Sequence, residues 1–188
     1  MVDRCRSPSK NRTLAKTLYM PLNDFATRDE GAELKELSFY RHRFILRPEY
    51  WQAYANPAAL TWQVVRAKAS EVLRIPNTDK GIYSFVVDAS TASHPGTKYL
   101  LYIGKAEKQS FRTRFKQYLA EADDPKGRPL IKDMFRKWPD HLWFYFAPVA
   151  TIGDIHQLEE DLIGAFAPPQ NDELPAEIRR PVKAAWRT

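Results

Sequence analysis

The sequence predicts an α+β fold: a small mixed or antiparallel sheet of about three strands flanked by helices, with an N-terminal α/β extension. Three observations carry this prediction. Two runs rich in β-branched and aromatic residues, 81–87 and 98–103, lie either side of a polar loop and read as an antiparallel hairpin. Three later segments repeat apolar residues at helical spacing, and a strand-like run, 141–147, falls between the second and the third. Of the 188 residues, 44% are apolar and 13% aromatic, enough for a core in one domain of ordinary size.

Taken in order, residues 1–20 are polar and basic and read as loosely ordered. The segment 39–46, Phe-Tyr-Arg-His-Arg-Phe-Ile-Leu, is strand-like and is closed by Pro48. Asn56-Pro57 reads as a helix start, with Asn at the N-cap and Pro at the first helical position. Val65, Ala69, Val72 and Leu73 extend that helix to about Arg74. Pro76-Asn77-Thr78-Asp79 then breaks it, which separates a basic, partly helical extension (1–75) from a module (76–175) and a tail (176–188).

Inside the module, the loop 88–97 holds Ser, Thr, His, Pro and Gly. Its His94, beside Pro95-Gly96, reads as structural or solvent-exposed. Residues 109–122 form a helix whose Phe111, Phe115 and Leu119 share a face, ended by Asp123-Asp124-Pro125. Pro129 opens the next helix, where Ile131, Met134, Phe135 and Trp138 line one side until Pro139. Thr151 and Asp154 resemble a capping box before the last helix of the module, whose apolar residues are Ile155, Leu158, Leu162, Ile163 and Phe166. Pro168-Pro169 stops it.

The charge and the cysteine count narrow the setting. The formal charge is +6, and +5 of it falls in residues 1–75, which hold 13 Lys/Arg against 8 Asp/Glu. Such a segment is either a solvated surface or a polyanion-binding one. The lone Cys5 allows neither a disulfide within the chain nor a Cys-based zinc site. The first ten residues lack an apolar run typical of a signal peptide, and the longest apolar run, 142–150, is too short to span a bilayer. The expectation is a cytoplasmic, intracellular protein with no membrane partner.

Four features could carry chemistry. Glu159 lies four residues from both Ile155 and Ile163, so one helix face reads Ile, Glu, Ile. A carboxylate in an apolar stripe needs a cation, a metal or a strong donor, unless it sits at the stripe's edge and reaches water. Tyr83 and Tyr102 are paired phenols on adjacent strands, each near a glycine; a neighbouring cation such as Lys105 would lower a phenol's pKa. Lys105, Lys108, Arg112, Arg114 and Lys116 form a basic stretch opposed only by Glu107, and Arg114 and Tyr118 are i, i+4 partners. Arginine suits phosphate because its planar fork offers two donors at fixed spacing, although a basic helix face is also commonly just solvated. Asn171, after Pro169-Gln170, is either a turn residue or a holder of a backbone or substrate oxygen.

Together these residues resemble the GIY-YIG endonuclease superfamily over about half the chain. The resemblance rests on Gly81-Ile82-Tyr83, Tyr102-Ile103-Gly104-Lys105, Arg114 followed by Tyr118, and Glu159-x-x-Leu162-Ile163 with Pro168 and Asn171 downstream. It implies a GIY-YIG-like sheet, DNA as substrate, and metal-dependent phosphodiester hydrolysis leaving 5′-phosphate and 3′-hydroxyl ends. By that resemblance Tyr83, Tyr102, Lys105, Arg114, Glu159 and Asn171 are the catalytic set. Glu159 would bind one divalent ion, Mg²⁺ or Mn²⁺. Lys108, Arg112, Lys116 and Tyr118 would bind substrate. Either tyrosine could be the base, and Arg112 rivals Arg114. The basic extension is a candidate DNA-gripping segment or a lid, and a homodimer or a protein partner could set the target. The rival readings are a catalytically silent nucleic-acid-binding module and a protein-interaction domain.

Overall fold

Tertiary pairing, more than local helical spacing, decides what the N-terminal third becomes. The computed structural model describes residues 30–56, 58–90, 94 and 96–187. The expected loose order of 1–20, Cys5, and the Pro57 helix start lie outside these residues. Two units divide the chain, 1–41 and 42–188. The described part of the first is helix α1, Glu30–Tyr40, which ends in residues expected to start a strand. Residues 41–47 have no regular structure. An alternating pattern makes a strand only where a ladder partner exists. The outer place in this sheet is taken by another segment.

In the second unit, a short helix α2 (Pro48–Ala53) precedes strand β1 (Gln63–Arg66). The long helix expected from Asn56 to Arg74 does not form. In its place stand β1 and a 3₁₀ turn over Ala69–Arg74. Val64 and Val65 are β-branched and fit a pleated surface better than a helix. Pairing with the strand β4 (Leu142–Pro148) supplies the backbone partners, with Val64 opposite Tyr145 and Val65 opposite Phe144. The sheet therefore has four strands, not three, in the order β1-β4-β2-β3, and every pair is antiparallel. Strand β2 is Gly81–Asp88 and β3 is Lys98–Ala106; their hairpin carries a bulge between Phe85 and Val86.

Helices cover both faces of the sheet. On one side, α3 (Phe111–Asp123) and α4 (Pro129–Lys137) close over a core of Tyr83, Phe85, Phe115, Tyr118, Met134, Phe144 and Phe146. Ser110 caps α3 by accepting a hydrogen bond from the Thr113 backbone N–H at 3.2 Å. On the other side, α5 (Ile152–Phe166) packs on β2 and β3, burying Ile155, Leu158 and Ile163 against Ile82 and Ile103. Thr151 is its N-cap, but the Thr151 side chain makes no cap bond, so the expected capping box is not formed. The expected tail is helix α6, Ala176–Arg187, whose Ile178 and Val182 enter the second core with Trp186 against it. That i, i+4, i+8 stripe was present in the sequence and offsets the N–H that Pro181 lacks inside the helix.

Candidate functional site

The two glycine-tyrosine motifs have a steric logic. Gly81 has φ 150°, and a side chain there would collide with the carbonyl oxygen of Ala147 across the sheet. A β-carbon on Gly104 would lie 2.5 Å from the Tyr83 phenol oxygen and 2.9 Å from the Tyr102 ring. Register sets Tyr83 opposite Gly104, so the missing side chain is the space that the Tyr83 phenol occupies.

That phenol is the centre of a buried polar network. Its oxygen lies 2.8 Å from the Tyr118 phenol oxygen and accepts from Arg114 Nε at 3.0 Å. Arg114 also donates from Nη2 to Tyr118 at 3.3 Å and from Nη1 to Gln117 Oε1 at 3.1 Å. Three of the five guanidinium N–H groups are thus engaged, which leaves donors for an anion. The Tyr118 ring lies under two cations, Arg114 at 4.9 Å and Arg128 at 5.6 Å from its centroid. Glu121 holds Arg128 by two charge-assisted bonds of 2.6 and 2.9 Å and accepts from its backbone N–H as well. Arg128 had no sequence signal, because Glu121 and Arg128 are joined only by the loop around Gly127. A β-carbon on Gly127 would run into the Glu121 carbonyl oxygen, so the tight loop that returns Arg128 to Glu121 requires glycine there.

Burial holds the protons on Tyr83 and Tyr102. Burial, then the neighbouring Tyr118 and Tyr102, raise the Tyr83 pKa well above that of a free phenol. Burial and Tyr118 raise Tyr102 likewise, while Arg128 and Arg114 pull it part of the way back. Burial opposes the charge on Arg114, but the Tyr83 and Tyr118 phenols outweigh it and its pKa is pushed up. Arg114 acts on both phenols and Arg128 on Tyr102. Lys105, expected to lower a tyrosine pKa, pairs with Glu159 at 2.9 Å.

Lys105 and Glu159 form the other wall. Ile155 and Ile163 are both buried, and Glu159 between them is half-buried at the stripe's edge, where its carboxylate meets Lys105. A cleft of about 400 Å³ brings the walls together: Tyr83, Tyr102, Lys105, Lys108, Arg114 and Glu159 all line it. Glu107, Gln109 and Glu173 complete the lining. Glu107, Glu159 and Glu173 are the carboxylates of the lining that could hold a cation there. No group of three or more His, Cys, Asp or Glu gathers as a metal cage among the described residues.

The remaining expected residues fall outside the lining. Asn171 is buried and serves β3: its Oδ1 accepts from the Ile103 N–H at 2.9 Å and its Nδ2 donates to the Ile103 carbonyl at 2.8 Å. With Gln170 N–H bonded to Leu101 O at 2.9 Å, it covers the free edge of the sheet beside the motif tyrosine. Ala167, in the left-handed conformation at φ 40°, turns the chain so that 170–171 reach that edge. Tyr118 is buried in the phenol network. Arg112 turns away from the cleft and donates to the carbonyls of Ile75 at 2.7 Å and Leu73 at 3.2 Å, which anchors α3 to the turn before β2. Arg114 is thus the arginine at the cleft. Lys116 is exposed on α3. No described helix is long and apolar enough to cross a membrane.

No protein-family model, curated protein or solved structure matches this chain.

Proposed function

We propose that the chain is a metal-dependent endonuclease of the GIY-YIG type that hydrolyses DNA phosphodiester bonds at the cleft between β3, α3 and α5. The observation that carries this reading is the convergence in one cleft of two phenols, a fork-shaped cation with free donors, and a carboxylate paired with a lysine. These groups come from four separate elements, and hydrolysis of a phosphodiester calls for this combination of charge stabilisation, water orientation and cation binding.

The donor set suits a hard divalent ion. Mg²⁺ keeps several waters and needs only one or two protein carboxylates, and Glu159 lines the cleft with Glu107 and Glu173 on the same lining. When bound, such an ion supplies stabilisation of charge on the scissile phosphate and the leaving 3′-oxygen. Arg114, with two N–H groups still uncommitted, neutralises a non-bridging oxygen as charge builds there. Tyr102 lines the cleft and is less buried than Tyr83, so it is the phenol whose ionised form takes the proton of the attacking water, returning to the neutral phenol as the water's oxygen bonds to phosphorus. Lys105 keeps the Glu159 carboxylate oriented, and Asn171 fixes the β3 backbone under Tyr102. Attack on phosphorus breaks the P–O3′ bond and leaves a 5′-phosphate and a 3′-hydroxyl.

A second reading draws on the same geometry: Glu159 already has a cationic partner, as it would in a nucleic-acid-binding module without turnover. One experiment separates the two. Supercoiled plasmid and a branched DNA oligonucleotide are incubated with Mg²⁺, Mn²⁺ or EDTA, using wild type and Glu159→Gln. Metal-dependent nicking that the variant loses while it still retards DNA supports the nuclease. Cleavage retained in Glu159→Gln overturns the site, and binding without cleavage by either protein supports the silent module.

A further inference from the structure

Helix α5 packs on β2 and β3. The same face of the sheet continues across β4 and β1, where side chains keep contact with solvent. Side chains alternate along β4, so Leu142, Phe144 and Phe146 enter the first core while Trp143 and Tyr145 stand on the opposite face. Both are half-buried, and they project from a central strand of a four-stranded antiparallel sheet. Their neighbours across the strands are Arg66 beside Trp143 and Val64 beside Tyr145, and Val64 is 41% exposed.

Each aromatic carries a cation. The Arg66 guanidinium lies 4.7 Å from the Trp143 ring centroid, and the Lys98 ammonium lies 5.7 Å from that of Tyr145 and donates to its hydroxyl at 3.0 Å. The acids nearby are engaged: Asp88 with Lys98 at 3.2 Å and Asp140 with Lys68 at 2.7 Å. Arg66 makes no ion pair among the described residues and donates instead to the Asp140 backbone carbonyl at 2.7 Å. An aromatic pair at alternate positions of a strand spaces its rings by about 7 Å, so each can take a separate base. Bases stack on aromatic rings and on guanidinium planes alike, while the adjacent cations meet phosphates.

We propose that this solvent-contacting part of the sheet face, built from Trp143, Tyr145, Arg66 and Lys98, is a binding platform for single-stranded nucleic acid. It is separate from the cleft and does not rest on the cleavage reading. Neither aromatic and neither cation is part of the proposed catalytic set.

The test is fluorescence anisotropy of the full chain with labelled oligo(dT), oligo(rU) and a short duplex at low salt. Trp143→Ala and Tyr145→Ala each weaken single-strand binding on the order of tenfold. Trp143→Phe and Tyr145→Phe keep most of it. Quenching of indole fluorescence by unlabelled oligonucleotide, lost specifically in Trp143→Phe, guards against misfolding as the cause. A preference between oligo(dT) and oligo(rU) assigns the sugar, and either ranking supports the platform. Alanine variants that fold and bind single strands within twofold of wild type overturn it.

Discussion

The two walls of the cleft are built by different rules. The wall from β2 and α3 is buried and knitted: Tyr83 and Tyr118 are almost wholly enclosed, and Arg114 is tied to both phenols and to Gln117. The wall from β3 and α5 is open, a single ion pair whose Lys105 and Glu159 side chains keep 25% and 19% of their exposure. Each wall belongs to a different hydrophobic core, on opposite faces of the same sheet. The first wall is pre-organised, so its groups spend little on rearrangement when charge develops nearby. The second is the more adaptable, because its one ion pair is still reached by solvent and its carboxylate has no further tie to the fold among the described residues.

The strongest way to separate the walls is to remove the one charge whose role is chemical. Glu159→Gln is expected to lower the cleavage rate by on the order of 10³-fold or more while the thermal midpoint moves little. Plasmid nicking and a melting curve on the same preparation check both halves. A large fall in the midpoint would mean that Glu159 holds the fold instead.

Arg114→Ala should damage both properties. Loss of its phosphate-facing donors is expected to cost about 10²- to 10³-fold in rate. Leaving the Tyr83–Tyr118 pair without its donor should cost about 1–3 kcal/mol of stability, read by urea denaturation. Arg114→Lys keeps the charge but loses the fork, so it should recover little. By contrast, Lys105→Ala breaks one partly solvated ion pair and should lower the urea midpoint less than Arg114→Ala does. Equal destabilisation by Arg114→Ala and Lys105→Ala would dissolve the contrast between the walls.

Gly104→Ala tests the packing that joins them. Its methyl would enter the space of the Tyr83 phenol, at a cost of about 1–3 kcal/mol as the ring is displaced. Asn171→Ala strips partners from the buried N–H and C=O of Ile103, for about 1–3 kcal/mol, with no side chain removed from the cleft itself. Amide exchange at Ile103 should rise in this variant, and exchange that stays protected would show that the sheet edge closes without Asn171.

Which parts were legible in the sequence follows from which forces placed them. The hairpin, α3, α4 and α5 were readable because their apolar periods match the faces they bury. Glu159 was readable because it interrupts such a face. The strand β1 was not, since Val65, Val72 and Leu73 fit a helical stripe and only the open edge of β4 makes 63–66 a strand. Helix α6 was missed although Ile178, Val182 and Trp186 are evenly spaced, because Pro181 sits among them. In the site, the spacing from Arg114 to Tyr118 is local and was visible. Arg128 reaches Tyr118 through Glu121 across a loop, and Arg112 spends its donors on Leu73 and Ile75; both facts depend on distances that no local pattern encodes.

The smallest expected effect concerns pH, and its sign is fixed by burial. Tyr83 and Tyr102 titrate above the ordinary phenol value near 10 in the folded chain, so the folded state holds their protons where the unfolded state releases them. Their contribution to stability is complete below about pH 10 and is lost as the pH rises beyond it toward the folded pKa values. Tyr102→Phe should therefore flatten the alkaline fall of the urea midpoint, whereas Glu159→Gln should leave it unchanged. Activity runs the other way. If Tyr102 accepts the water's proton, the cleavage rate climbs with pH from neutrality, as more of a strongly proton-holding phenol ionises, and Tyr102→Phe flattens that climb too. A flat rate profile in wild type with an intact alkaline stability slope would leave Tyr102 as a packed phenol and move the base elsewhere in the cleft.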